Sequence, residues 1–284
     1  MLVALTVSAR RHHHARVRGI LRKLSIAILG AVCFAGVVRA QSESPAASQS
    51  TAPATSQSAS PEDWEFSVTP YVFLPRLRGT IGVVGETAEV NASFADIFRN
   101  LDFAAMGTFE ARKRNWVVLV DGMYMSLSGQ KVTPSPFFSD IDVEVKEVVI
   151  TPQVGYRVVR TERGSIDLLA GARIWHVNTH LTFQPRIRPL VDVEGSRNWV
   201  DPIVGARGTA SLSPRTFVLG EFDAGGFGVG SDFTGQVFGG VGFQLKPRVA
   251  LIGGYRYLRT DYVKDSFIFR TSLSGITLGA KFKL

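Results

Sequence analysis

From Asp63 to Leu284 the chain alternates apolar and polar residues with a period of two, yet nowhere gathers about 18 consecutive apolar residues. Membrane-crossing helices are thereby excluded, and strands with two chemically different faces are predicted. The last segment is the clearest. Ile276, Leu278, Ala280, Phe282 and Leu284 share one face, and Gly275, Thr277, Gly279, Lys281 and Lys283 the other. Phe233, Val237, Val241, Phe243 and Leu245 alternate in the same way, as do Val148, Ile150, Val154, Tyr156 and Val158, and Phe103, Ala105, Phe109 and Ala111. Trp116, Val118, Val120 and Tyr124 lie opposite Asp121.

Connections set the strand number. Short turns are read at Lys113-Arg114-Asn115, Arg160 to Gly164, Ser213-Pro214-Arg215 and Lys246-Pro247-Arg248. Longer polar connections lie between them at Arg76 to Leu101, Ser128 to Ile141, Phe183 to Gly195, Phe227 to Ser231 and Tyr262 to Ser266. Alternation of short and long connections is the asymmetry of outer-membrane barrels, with short periplasmic turns. It predicts an all-β fold: a closed antiparallel up-and-down transmembrane β-barrel of about ten strands, with eight or twelve as alternatives. Within the first connection, Gly79 to Phe94 reads as an outward hairpin and Ala95 to Leu101 as a short helix.

A soluble barrel would turn the apolar face inward, and a membrane barrel turns it outward. The N-terminus favours export. Residues 1–40 carry seven Arg and Lys and no acid, and without them a net charge of +8 falls to about +1 (25 basic against 24 acidic residues). The basic balance is therefore no argument for nucleic-acid binding. Arg10, Arg11, Arg16, Arg18, Arg22 and Lys23 form a signal n-region, Leu24 to Val37 an apolar h-region, and Val38-Arg39-Ala40 a cleavage site before Gln41. A twin-arginine reading of Arg10-Arg11 lacks the rest of that pattern. Cys33 falls inside the h-region after Val32, unlike a lipoprotein site, so the mature chain holds no cysteine. His12, His13 and His14 leave with the signal. Residues 41–62, rich in Ser, Ala, Gln, Thr and Pro, read as a disordered spacer before a barrel over 63–284. Aromatics near strand ends (Trp64, Trp116, Tyr124, Tyr255, Tyr257 and Phe282) suit interfacial girdles.

The run Asp223-Ala-Gly-Gly-Phe-Gly-Val-Gly-Ser-Asp232, the motif Gly254-Tyr-Arg-Tyr-Leu258 with Asp261-Tyr262, and the terminal Gly275 to Leu284 resemble the C-terminal half of the small OmpA-like outer-membrane β-barrel superfamily of Gram-negative bacteria. Phe94 to Asp102 with Glu110-Ala-Arg112 resembles its N-terminal half. The resemblance implies residence in the outer membrane and insertion by the barrel-assembly machinery. Such chains usually end in Phe or Trp, whereas this one ends in Leu284, with Phe282 two residues earlier.

With the apolar face in lipid, Glu110, Arg112, Asp121, Glu147, Arg157, Asp167, Arg173, Asp201, Arg207, Glu221, Asp223, Arg256 and Lys281 point inward. Mixed signs in a narrow lumen predict a cross-strand charge network, because an unpaired buried charge is far costlier than a paired one. The rival is a charge-lined passage. Asp201 and Asp223 read as partners of Arg207 and Arg256.

Other chemistry is sparse. His176 and His180 share a strand face near the outer rim, where Asp192 or Glu194 as partner and Ser196 as nucleophile would make a hydrolase site; two histidines with a carboxylate also suit a metal. No third partner is fixed by spacing, so no catalytic residue, metal or cofactor is assigned. Asp140 and Asp142 match acidic protease pairs in composition alone. Gly225 to Gly230 lacks the Lys and helix of a phosphate loop, and Asn91-Ala-Ser93 matches a glycosylation acceptor by chance. Arg186, Arg188 and Arg197 in the third outer loop are candidate contacts to lipopolysaccharide phosphates. The leading expectation is a structural or surface-interaction barrel partnered by outer-membrane lipid. A narrow porin, a membrane hydrolase and a soluble lipocalin-like carrier are the rivals.

Overall fold

Alternating β-branched and aromatic residues, with turn residues between them, build a wall of antiparallel strands in the computed structural model, which describes residues 63–83, 86–132, 138–185 and 191–284. The expected signal and spacer lie outside the described residues. In chain order the elements are β1 (Glu65–Val83), β2 (Glu86–Ala92), α1 (Phe94–Arg99), β3 (Leu101–Lys113), β4 (Trp116–Val132), β5 (Phe138–Arg160), β6 (Gly164–Pro185), β7 (Val191–Ser211), β8 (Thr216–Gly226), β9 (Phe233–Lys246), β10 (Val249–Lys264) and β11 (Phe267–Lys283). Each strand from β3 to β11 pairs with its sequence neighbour, and β11 closes on β1. Ten strands make the closed wall, and β2 is a hairpin arm paired to β1 alone.

The first connection is the expected hairpin followed by the expected short helix. Ser93 caps α1: its hydroxyl accepts from the Asp96 amide, and Asp96 Oδ2 accepts from the Ser93 amide. These bonds hold the Asp96 carboxyl below the usual carboxylate range. β1 pairs with β3 only over Glu65–Pro70, opposite Gly107–Arg112, and pairs with β2 only from Leu77 onward. Between those stretches the ladder lapses. α1 packs against β1 there, with Ile97 buried.

The expected long polar connections are shorter than the sequence indicates. β4 runs on to Val132, β6 to Pro185 and β10 to Lys264, so Asp265-Ser266 is a tight turn with Asp265 at a left-handed φ of 53°. What looked like loops are mostly strand. The apolar outward face that marks a strand in lipid stops at the membrane surface, and the hydrogen-bonded ladder does not.

Phe243, Leu278 and Phe282 point away from the barrel, 45%, 54% and 40% exposed. On β1 the outward apolar set runs from Phe66 to Leu74. Nine residues at ~3.3 Å, tilted by ~40°, rise ~23 Å, close to the apolar height of an outer-membrane barrel. Above this level β1, β6, β7, β10 and β11 invert. On β6, Leu168 and Ile174 face outward and Asp167 and Arg173 inward, but beyond them Trp175 and Val177 face inward and His176 is exposed. On β10 the change falls between Tyr257 outside and Leu258 inside; on β11 it falls between Ile276 outside and Leu273 inside. The lower half is thus apolar outside and polar inside, and the upper half is the reverse. This is a membrane-spanning barrel of the outer-membrane type, with an extension standing above the bilayer.

Candidate functional site

The lumen is filled in three layers. Nearest the short turns, the periplasmic end by the asymmetry of such barrels, Asp167 accepts from Arg112 (2.8 Å) and Arg157 (2.9 Å). Glu110 accepts from Arg207 (3.1 Å), Lys281 (3.0 Å) and Arg112 (3.3 Å). Glu221 lies 4.0 Å from Arg207. Five strands contribute to the Glu110–Asp167 cluster, and the pairs Arg112–Asp167, Arg207–Glu110 and Lys281–Glu110 join strands that are not neighbours in the wall. Val117, Leu119 and Leu169 pack beside it.

In the middle layer Arg256 reaches from β10 across the lumen to Asp121 on β4 (2.7 Å) and to the Tyr71 hydroxyl on β1 (2.6 Å), and donates to Gln236 (2.9 Å). Arg173 and Asp223 pair at 2.8 Å with side chains 1% and 0% exposed; Thr234 and Thr151 take further guanidinium bonds. Glu147 lies further out, in register with Val177, and is buried with no ion pair among the described residues.

The expected partners of two aspartates are corrected here. Asp223 pairs with Arg173, not Arg256. Asp201 pairs with no arginine among the described residues: it accepts from the Trp199 indole N–H (3.1 Å) and the Ser231 amide (2.6 Å), pinning the β8–β9 connection into the barrel mouth. Arg207 and Arg256 are taken by Glu110 and Asp121 instead. Which inward residues meet depends on how far each strand is sheared against the next, and spacing along one strand does not encode that.

The outer layer is apolar, and sequence reasoning missed it. Trp199 stacks on Trp175 (5.4 Å between ring centroids) and on Tyr262 (4.2 Å), and Phe269 meets both indoles edge-on. Phe267, Phe73, Leu258, Leu273, Met123, Val149 and Val177 complete a buried cluster drawn from β1, β4 to β7, β10 and β11. The available signal was the pair of adjacent apolar residues at each inversion, such as Ile174-Trp175, Trp199-Val200 and Tyr257-Leu258.

The histidine motif lies outside this bore. His176 is exposed, and its Nδ1 hydrogen-bonds Asn198 Oδ1. His180 stands two outward positions further along β6, in register with Glu194, while Glu194 accepts from Asn178 at 3.4 Å. Ser196 is in register with Asn178, not with either histidine. The side chains of Asp192, Asp140 and Asp142 lie outside the described residues. Among the described residues, no three His, Cys, Asp or Glu side chains gather as metal ligands. Gly226, Phe227 and Gly228 take left-handed φ values at the β8–β9 turn, and Ser93 of the Asn91-Ala-Ser93 match is the helix cap. Arg186 and Arg188 are outside the described residues. Arg197 is in β7 rather than in a loop, with its guanidinium over the Phe267 ring (5.7 Å).

No family model matches the sequence, and no curated protein matches it. Solved structures similar in fold include the outer membrane protease OmpT from Escherichia coli (9% identity, TM-score 0.48), covering 81% of this chain and all of that one. The translocator domain of the autotransporter NalP from Neisseria meningitidis matches at 10% identity and TM-score 0.41, covering 78% of this chain and 88% of that one. The attachment invasion locus protein Ail of Yersinia pestis matches at 12% and 0.33, covering 78% and 99%. Identities this low carry no residue's role to this chain; what they share with it is a strand-built barrel.

Proposed function

We propose that this chain is a non-conducting outer-membrane barrel with a structural or surface-interaction role, related to the small OmpA-like barrels. One observation carries the reading: the aromatic layer around Trp175, Trp199 and Tyr262 spans the bore, above two layers of paired charge. An ion crossing here would meet a section packed mainly with aromatic and aliphatic side chains, which offer little to replace its hydration. Insertion by the barrel-assembly machinery is supported by the regular outward face of β11 and by its long ladder with β1, which closes the wall.

Single-channel recording of the purified protein in a planar bilayer tests the reading. The expected trace shows no openings, while protein in the same preparation shifts mobility between unboiled and boiled gel samples, the mark of a closed barrel. Stepwise openings from the wild-type chain would overturn it in favour of a narrow pore.

A further inference from the structure

The inversion level does not carry the same charge all round the barrel. On the β5–β7 side, Lys146 is paired with Glu144 (2.5 Å), and the neighbouring outward positions are His176, Asn178, Ser196, Asn198 and Glu194. On the β10–β11–β1 side, four exposed arginines stand together: Arg76 and Arg78 on β1, Arg259 on β10 and Arg270 on β11. Register fixes their arrangement. Arg78 and Arg259 flank Ser272 in one row, Arg76 shares the next row with Ser274 and Tyr257, and Arg270 lies between Thr80 and Asp261. Strands ~4.8 Å apart put the Arg78 and Arg259 backbones ~10 Å from each other. Asp261 takes Arg270 at 2.7 Å, and Glu89 on β2 is opposite Thr80. Arg76, Arg78 and Arg259 have no carboxylate within 4.0 Å among the described residues.

The height of the cluster is as informative as its charge. Immediately below it on the same three strands come Val72, Tyr255, Tyr257, Ile276 and Leu278, all exposed and apolar or aromatic. The arginines therefore begin where the acyl chains end, at the depth of the outer-leaflet head groups. Phe94 and Phe98, exposed on the helix beside β1, add apolar surface next to the cluster.

We propose that Arg76, Arg78, Arg259 and Arg270 bind the phosphates of a phosphorylated glycolipid of the outer leaflet, of which lipopolysaccharide is the abundant example. Guanidinium groups fork onto phosphate oxygens, and several on one face hold a lipid with more than one phosphate better than a singly charged one. The inference rests on the membrane reading of the apolar band and does not depend on whether the bore conducts.

The test uses the full mature chain in phosphatidylcholine nanodiscs, titrated with lipid A carrying both phosphates and, separately, with lipid A stripped of them. Intact lipid A is expected to bind at least about tenfold more tightly than the stripped form, and less tightly as salt rises. The variant Arg76→Gln/Arg78→Gln/Arg259→Gln/Arg270→Gln is expected to lose that preference, and Lys246→Gln/Arg248→Gln at the opposite end to keep it. If the fourfold variant loses its heat-dependent gel shift, Arg78→Gln/Arg259→Gln takes its place, with at least about half of the preference, on a logarithmic scale, expected to go. Equal binding of the two lipids by the wild type, or an unchanged preference in a folded variant, overturns the proposal. A wild-type chain missing from the outer-membrane fraction would instead sink the membrane reading beneath it.

Discussion

The two halves of this barrel share strands and hydrogen-bonded ladder but solve opposite solvent problems. Below the inversion, hydrocarbon surrounds the wall, so apolar side chains face out and Arg256, Asp121, Arg173 and Asp223 must satisfy one another inside. Above it, water surrounds the wall, so polar side chains face out and Trp175, Trp199, Tyr262 and Phe269 form an ordinary hydrophobic core. One chain therefore needs opposite patterns on a single strand, and the switch costs it only a pair of neighbouring apolar residues. Local environment, not strand propensity, decides which face a residue type takes.

Mutations break the comparison in a definite order. The largest losses come from the two interiors. Trp199→Ala, emptying the upper core, and Arg173→Ala, stranding Asp223 below, each cost ~3–5 kcal/mol, one as a cavity and the other as an unpaired buried charge. Urea unfolding in detergent, followed by the gel shift, measures both. The two should separate chemically: Arg173→Met/Asp223→Leu recovers most of its loss, because an apolar pair leaves no charge behind. The next effect is on the outer face. Leu278→Lys puts a charge into hydrocarbon at ~2–4 kcal/mol, whereas Ser272→Lys, on the same face of the same strand, stays within ~0.5 kcal/mol. Equal costs at the two sites would erase the boundary between the halves. Gly254→Val should also destabilise the wall, read by the same urea unfolding, since a Cβ there comes 2.5 Å from the Gly239 carbonyl oxygen and 2.7 Å from Phe238 ring carbons.

The smallest effect is at the helix cap, in water. Ser93 lowers the Asp96 carboxyl below its unfolded value, so the cap stabilises fully above the ordinary aspartate range and loses that contribution as pH falls through the lowered one. An NMR titration should place Asp96 below a free aspartate in the wild type and return it toward that value in Ser93→Ala. An unchanged titration would mean the capping box does not form in solution.

The membrane half was readable from the sequence because its outward face is continuous: Ile276, Leu278, Ala280 and Phe282 need no partner to be recognised. The hairpin and helix after β1 were readable in outline, as Gly79 to Phe94 and Ala95 to Leu101, although Gly79 itself lies within β1, paired with Val90 and Thr271. The upper half was not. Its strands at Ser128–Val132 and Tyr262–Lys264 look like polar loops once the outward residues become hydrophilic, and the tryptophans that close the bore sit on β6 and β7, 24 residues apart in sequence. The individual ion pairs were hidden for a different reason, since they join strands as distant as β3 and β11.

The lapse in pairing between Tyr71–Arg76 and Leu101–Met106 makes this cylinder asymmetric in a mechanical sense. Parting β1 from β3 breaks six residue pairs, against nine in the next shortest ladder of the wall, β7–β8, and a short helix stands in for the missing part. Force or denaturant applied evenly to the rim should therefore find that side first, and deuterium should enter the amides of β1 and β3 flanking α1 before those of β6.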